Sequence, residues 1–166
     1  MNPFRFNVLG GLDGIMQPII DTQNGDFSLH DGFRITKRTS PEDLLDYFGT
    51  GLMDQADHGN GWKKLSIRNV LIDDDYFCFS FWFSMDVLQS IHFVVDEKEF
   101  EFNTWDHFSE TDEPKRHGFY IEWLANQIGD TAGHYPWGTI DVVQDPKVGF
   151  SMIHYRYAQY EAGDEK

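Results

Sequence analysis

The stretch Tyr76-Phe77-Cys78-Phe79-Ser80-Phe81-Trp82-Phe83-Ser84-Met85 decides the fold. Phe77, Phe79, Phe81, Phe83 and Met85 fall on one parity; Tyr76, Cys78, Ser80, Trp82 and Ser84 fall on the other. Side chains alternate faces along a β-strand, so one face is a ladder of four phenylalanines. A helix would scatter the same rings around its circumference. The pattern predicts a central strand whose phenylalanine face lies on the core. Its second face is mixed, and Trp82 marks it as partly covered.

Working outward, Trp62 to Ile72 reads as the preceding strand, with Leu65, Ile67 and Leu71 on one parity. Asp73-Asp74-Asp75 is a turn, and Ile91 to Val95 is the following strand. Three runs joined by short turns make an antiparallel meander. Upstream, Ser40-Pro41-Glu42-Asp43 opens a helix: a serine cap, proline at the first helical position, and acids at the positive dipole end. Leu44, Leu45 and Phe48 form its buried stripe, and Gly49 ends it. Phe27 to Thr36 reads as a hairpin about Asp31-Gly32, in the two-residue type I′ form. Met16 to Ile20 reads as a strand and residues 50–61 as a surface loop.

Downstream, Pro114 opens a second helix that runs to about Ile128. Tyr120, Trp123, Leu124 and Ile128 share one face, and Gly129 follows. Asp130 to His134 is a connection, and Tyr135 to Tyr157 a final hairpin. The fold class is α+β: a mainly antiparallel twisted sheet, meander plus hairpins, with two helices packed on one face. Residues 1–14 are expected as an N-terminal arm, 15–158 as a single domain and 159–166 as a polar tail.

The chain of 166 residues is 40% hydrophobic and 16% aromatic, enough to bury a sizeable core. Its 28 acidic and 13 basic residues give a net charge of −15. That balance repels nucleic acid and anionic membranes and attracts basic partners. With one cysteine, Cys78, no disulfide can form within the chain, which suits the cytoplasm. Residues 1–12 lack a signal-peptide pattern, and no apolar run approaches the roughly 20 residues of a membrane span.

Seven histidines invite a metal reading: His30, His58, His92, His107, His117, His134 and His154. None has helical i, i+4 spacing to another, and no Cys-His pair accompanies them, so no metal and no cofactor are expected. The three-aspartate turn points its carboxylates apart and lacks calcium-loop spacing. Cys78 lies among aromatic strand residues, where a thiol behaves as a small hydrophobe with a raised pKa. No G-x-S-x-G elbow exists, and the pairs Asp54/Asp57 and Asp106/Glu110 read as solvated faces. No catalytic signature emerges.

Charge is more informative. Residues 41–61 carry five acids and no lysine or arginine. Residues 96–113 carry eight acids against one lysine, a net −7, with Phe100, Phe102, Trp105 and Phe108 interspersed. Acidic fields speed encounter with a basic partner, and central aromatics act as hot spots. Trp105, Asp106, Glu110, Asp112 and Glu113 are therefore the candidate partner-binding residues.

A family resemblance rests on the C-terminal third. Its carriers are Trp105-Asp106 ahead of an acid-rich run, Trp123-Leu124-x-x-Gln127-Ile128-Gly129, and Tyr135-x-Trp137-Gly138-x-Ile140. Asp145-Pro146 and Gly149-Phe150-Ser151-x-Ile153-x-Tyr155-Arg156-Tyr157 complete them. The sequence resembles small bacterial proteins of unassigned activity, some of them similar to immunity proteins of polymorphic-toxin loci. The resemblance spans about Trp105 to Tyr157, with a looser match to the phenylalanine-rich meander, and Trp-Gly-x-Ile also reads as a packing signature. It implies an acidic cytoplasmic protein that neutralises a toxin by binding it, and it supplies no catalytic residues; the charge balance points to a basic toxin. The competing reading is a small-ligand-binding protein or minor hydrolase with a His- and Asp-lined pocket between sheet and helices.

Overall fold

The structure, a computed structural model, describes residues 18–29, 31–101, 113–144 and 151–158. The expected arm, the polar tail and residues 145–150 lie outside that set. Eleven elements follow one another: β1 (Phe27–Ser28), β2 (Arg34–Ile35), α1 (Pro41–Phe48), β3 (Asp54–Gly59), β4 (Trp62–Ile72), β5 (Asp75–Ser84), β6 (Val87–Asp96), α2 (Glu113–Ile128), β7 (Ala132–Tyr135), β8 (Gly138–Gln144) and β9 (Ser151–Tyr157). Seven strands form one open antiparallel sheet in the order β3-β4-β5-β6-β9-β8-β7, and β1-β2 is a separate small hairpin. Strands β3 to β6 run as a meander. The chain then passes through α2 to the far edge and returns inward through β7 and β8, so that β9 pairs with β6.

The phenylalanine ladder lies where its parity demands. Phe77, Phe79, Phe81 and Phe83 are buried, while Cys78, Ser80, Trp82 and Ser84 are half-exposed on the other face. Leu65, Ile67, Ile91, Phe93, Ile153 and Tyr155 extend the apolar layer across the sheet. Leu44, Phe48, Tyr120, Trp123 and Leu124 cap it from the helices, with Leu45 half-buried at the rim. Trp123 sets its ring edge-on against Phe77 and Phe93, at 5.7 and 5.6 Å. Phe27, brought in by the small hairpin, meets Phe79 and Phe93 edge-on at 5.5 Å each.

The caps of α1 follow the sequence. Ser40 Oγ accepts the Asp43 N–H, and the Asp43 carboxylate accepts the Ser40 N–H. Gly49 adopts φ +95° and its N–H donates to the Leu45 carbonyl.

Several expectations are corrected. Residues 54–59 are an edge strand, not loop; their side chains are polar and almost all exposed, so no alternation betrays the backbone pairing with β4. Ala132–Tyr135 is likewise a strand and not a connection. In β4 a bulge at Asn69, with φ +54°, shifts the parity, so Val70 and Ile72 are buried in place of Leu71. Of the strand expected over 16–20, residues 16 and 17 lie outside the described set, and Ile20 bridges to Phe27. The β1–β2 turn is wider than the two-residue form: the Leu29 N–H reaches the Phe33 carbonyl at 3.1 Å.

The residues Trp137-Gly138, Tyr155 and Tyr157 have a packing role. Gly25 offers its carbonyl to the hydroxyls of both Tyr155 and Tyr157. Trp137 lies over Gly25, and its indole N–H donates to the Thr22 carbonyl at 2.9 Å. Gly138 passes so close to the Arg156 carbonyl that a Cβ there would overlap it.

Replacing Phe79 with Ala should cost about 3–5 kcal/mol, because rings on every side hold the cavity open. Urea denaturation of the variant measures it.

Candidate functional site

Strand alternation delivers two faces, and the helices occupy only one. On the other, the register lines up Asp54, Ser66, Ser80, His92, His154 and Asp141 in one row across six strands. The neighbouring row holds Ala56, Lys64, Trp82, Ser90, Arg156 and Thr139. Most of these side chains are half-exposed, and Asp54, Arg156 and Asp141 are exposed. Rings, imidazoles, hydroxyls and both signs of charge therefore share one broad surface.

Trp82 is its centre. His58 stacks on the indole at 5.3 Å and 27°, and the Lys64 ammonium lies 5.5 Å from the ring centroid. The indole N–H is buried beneath them with no hydrogen-bond partner among the described residues. His92 and His154, 62 residues apart in sequence, bring their Nε2 atoms into hydrogen-bond contact. The contact needs an N–H on one Nε2 and a bare nitrogen on the other, so the two rings cannot both be charged. Ser90 Oγ lies 3.3 Å from the His92 nitrogen. Burial, then the partner imidazole and the cations Arg156 and Lys64, push His92 down to about 3. Burial and Arg156 lower His154 as well, against the opposing pull of Asp141. No spacing rule could find this pair, because only the β6–β9 register creates it.

One end of the meander concentrates negative charge. The β4–β5 turn holds Asp73 and Asp74 at φ +50° and +71°. Asp75 follows, and Asp96 pairs beside Tyr76, next to Glu97. Burial first, and then Glu97, Asp74, Asp73 and Asp96, raise the Asp75 carboxyl to about 6. The Asn69 side chain fastens the chain just beyond: its amide donates to the Phe100 carbonyl and accepts the Phe100 N–H, at 2.9 and 2.8 Å. A second acidic flank comprises α1 and β3. Glu42, Asp43, Asp46, Asp54 and Asp57 are all exposed there, and an open cleft of about 550 Å³ runs between the two elements.

Of the residues singled out by charge, Trp105, Asp106, Glu110 and Asp112 lie outside the described set. Glu113 opens α2, and its side chain lies outside that set. Cys78 is half-buried, and burial pushes its thiol up to about 11. His117 meets Ser151 Oγ at 3.1 Å. Among the described residues no three His, Cys, Asp or Glu side chains converge as metal ligands. No helix there is long and apolar enough to cross a membrane. Packed rings fill the space between sheet and helices.

Two pH effects follow. The imidazoles of His92 and His154 have folded-state pKa values below their unfolded ones. Their contribution to stability is complete above about pH 6.5 and is lost as pH falls toward about 3 for His92. Histidine ring signals followed by NMR should show His92 still neutral at pH 5.5 and His154 titrating below the ordinary histidine range. Asp75 behaves oppositely: its folded pKa is raised, so its contribution is present below about pH 3.9 and lost as pH rises through about 6. Asp75→Asn should stabilise the fold at pH 8 and leave it unchanged near pH 4, by urea denaturation.

No protein-family model matches the sequence, and no curated protein matches it. Among solved structures, a chain of the complex of Rhs1-CT with its cognate immunity protein RhsI1 is similar. The likeness has a TM-score of 0.49 and 18% identity, over 87% of this chain and 90% of that chain.

Proposed function

We propose that this chain is a non-enzymatic acidic binding protein of immunity type, which neutralises a basic toxin domain by direct contact in the cytoplasm. The observation that carries this reading is the gathering of exposed carboxylates on α1 and β3. Five acids from residues 41–61, with no lysine or arginine among them, line adjacent elements at one edge of the sheet. The cluster at the β4–β5 turn adds to the same sign of field, and there Asp75 is held against its own preference for ionisation. Like charges kept close oppose folding, yet they raise the encounter rate with a cationic surface. The family resemblance of the C-terminal third points the same way. The wide, half-exposed sheet face, with Trp82 and three histidines, has the mixture of rings and polar groups found where proteins meet.

The test begins with proteins retained by the immobilised chain and released by salt. A retained protein is expressed alone and together with this chain. A basic protein that arrests growth, and is silenced by co-expression, supports the reading. If the retained protein is acidic or harmless, the reading fails. The variant Glu42→Gln/Asp46→Asn/Asp54→Asn/Asp57→Asn leaves the capping carboxylate of Asp43 in place. It should slow association with the purified partner about tenfold, flatten its salt dependence and change dissociation little.

A further inference from the structure

The end of the meander opposite the acidic turn has the reverse character. Two tight turns lie side by side there: Asn60-Gly61 between β3 and β4, and Met85-Asp86 between β5 and β6. The Met85 N–H donates to the Gly61 carbonyl at 2.9 Å, and the thioether lies across Gly61, where any Cβ would meet its sulfur. Met85 and Asp86 have φ +51° and +62°. A turn with both φ values positive favours Asn-Gly or Asp-Gly, and methionine is an uncommon occupant of that region. Sequence parity groups Met85 with the buried phenylalanines, yet it is 74% exposed. Neither core packing nor turn chemistry accounts for it.

Its surroundings are apolar too. Trp62 is 41% exposed and Val87 55%, and the register sets both beside Ser84 on neighbouring strands. Single exposed apolar residues need no explanation, but three grouped on one tip do. The charges at the tip pair with each other, Lys63 to Asp86 at 3.1 Å. Its two flanks differ. On one, Glu42 and Asp57 share a cleft with Lys63 and Asp86. On the other, Lys37 and Arg38 line a depression of about 320 Å³ beside Val87.

We propose that Met85, Trp62 and Val87 form the apolar anchor of the binding surface. The occupant is a basic protein with an apolar pocket, its cationic groups facing Glu42 and Asp57. Charge complementarity on the acidic flank selects this occupant, and the unlike flanks fix its orientation. The inference rests on the function proposed above. Methionine and tryptophan suit the role, since both bury large polarisable surfaces in a partner's pocket.

The test uses the purified basic protein that silences on co-expression with the wild-type chain. Met85→Asn installs the residue that the turn prefers. It should hold or raise the thermal midpoint while weakening affinity tenfold or more, mainly through faster dissociation. Trp62→Ser should weaken affinity in the same way. Leu52→Ser, at an exposed apolar residue in the α1–β3 connection (52% exposed), should leave affinity unchanged. Folded Met85→Asn and Trp62→Ser variants with wild-type affinity would overturn the anchor and leave the proposed function standing. If Met85→Asn loses stability and affinity together, Met85 is a structural turn residue and the anchor fails. Should Met85→Asn convert a dimer to a monomer in light scattering without touching partner affinity, a second copy is the occupant and this proposal is wrong. If the wild-type chain silences nothing, the proposed function falls and the anchor with it.

Discussion

Phe27 is the side chain on which the packing converges. It is fully buried, and its ring meets Phe77, Phe79, Phe93 and Tyr155, each edge to face. Those partners come from β5, β6 and β9, so one ring from a two-residue strand holds the centre of a seven-stranded sheet. Edge-to-face geometry places the positive rim of one ring on the negative face of the next, which adds direction to burial. The small hairpin β1–β2 pairs with nothing in the large sheet. Its contribution is to deliver this ring to the core.

The same economy governs the C-terminal hairpin. The Gly25 carbonyl takes two tyrosine hydroxyls, while Trp137 closes over the glycine. The β8–β9 unit is thus tied to the N-terminal turn by polar bonds as well as by rings. Burial holds both phenols above their ordinary range; Tyr157 raises Tyr155 further and Asp26 raises Tyr157, so both remain donors at any physiological pH. Trp137, Gly138, Tyr155 and Tyr157 thus act first in closing the core.

How far the sequence could be read depended on where the information was kept. The ladder from Phe77 to Phe83 was legible because burial on one face leaves a period of two. Helix α1 was legible because its caps are local chemistry. Strand β3 was not, since an edge strand with Asp54, Gln55, Asp57 and His58 exposed has no apolar period to show. Beyond Ile67 the parity of β4 was misread, because a bulge inverts every later side chain and Asn69 carries no unambiguous mark of one. Of the candidate surface, the acids of residues 41–61 could be counted in advance. The contact of His92 with His154 could not, nor the grouping of Trp62, Met85 and Val87, because strand register and turn placement make both.

The sheet order carries a kinetic consequence. The pairings from β3 through β6 all join sequence neighbours, so this meander can assemble early, as local contacts do. Their product has an open edge along β6, apolar on one side, which only β9 covers in the finished fold. A nascent chain therefore exposes that edge until residues 151–157 have been made and have crossed back past α2. During that interval the half-built sheet is a template for any other extended strand. The surplus of carboxylates, which opposes close approach between copies, guards it while it waits.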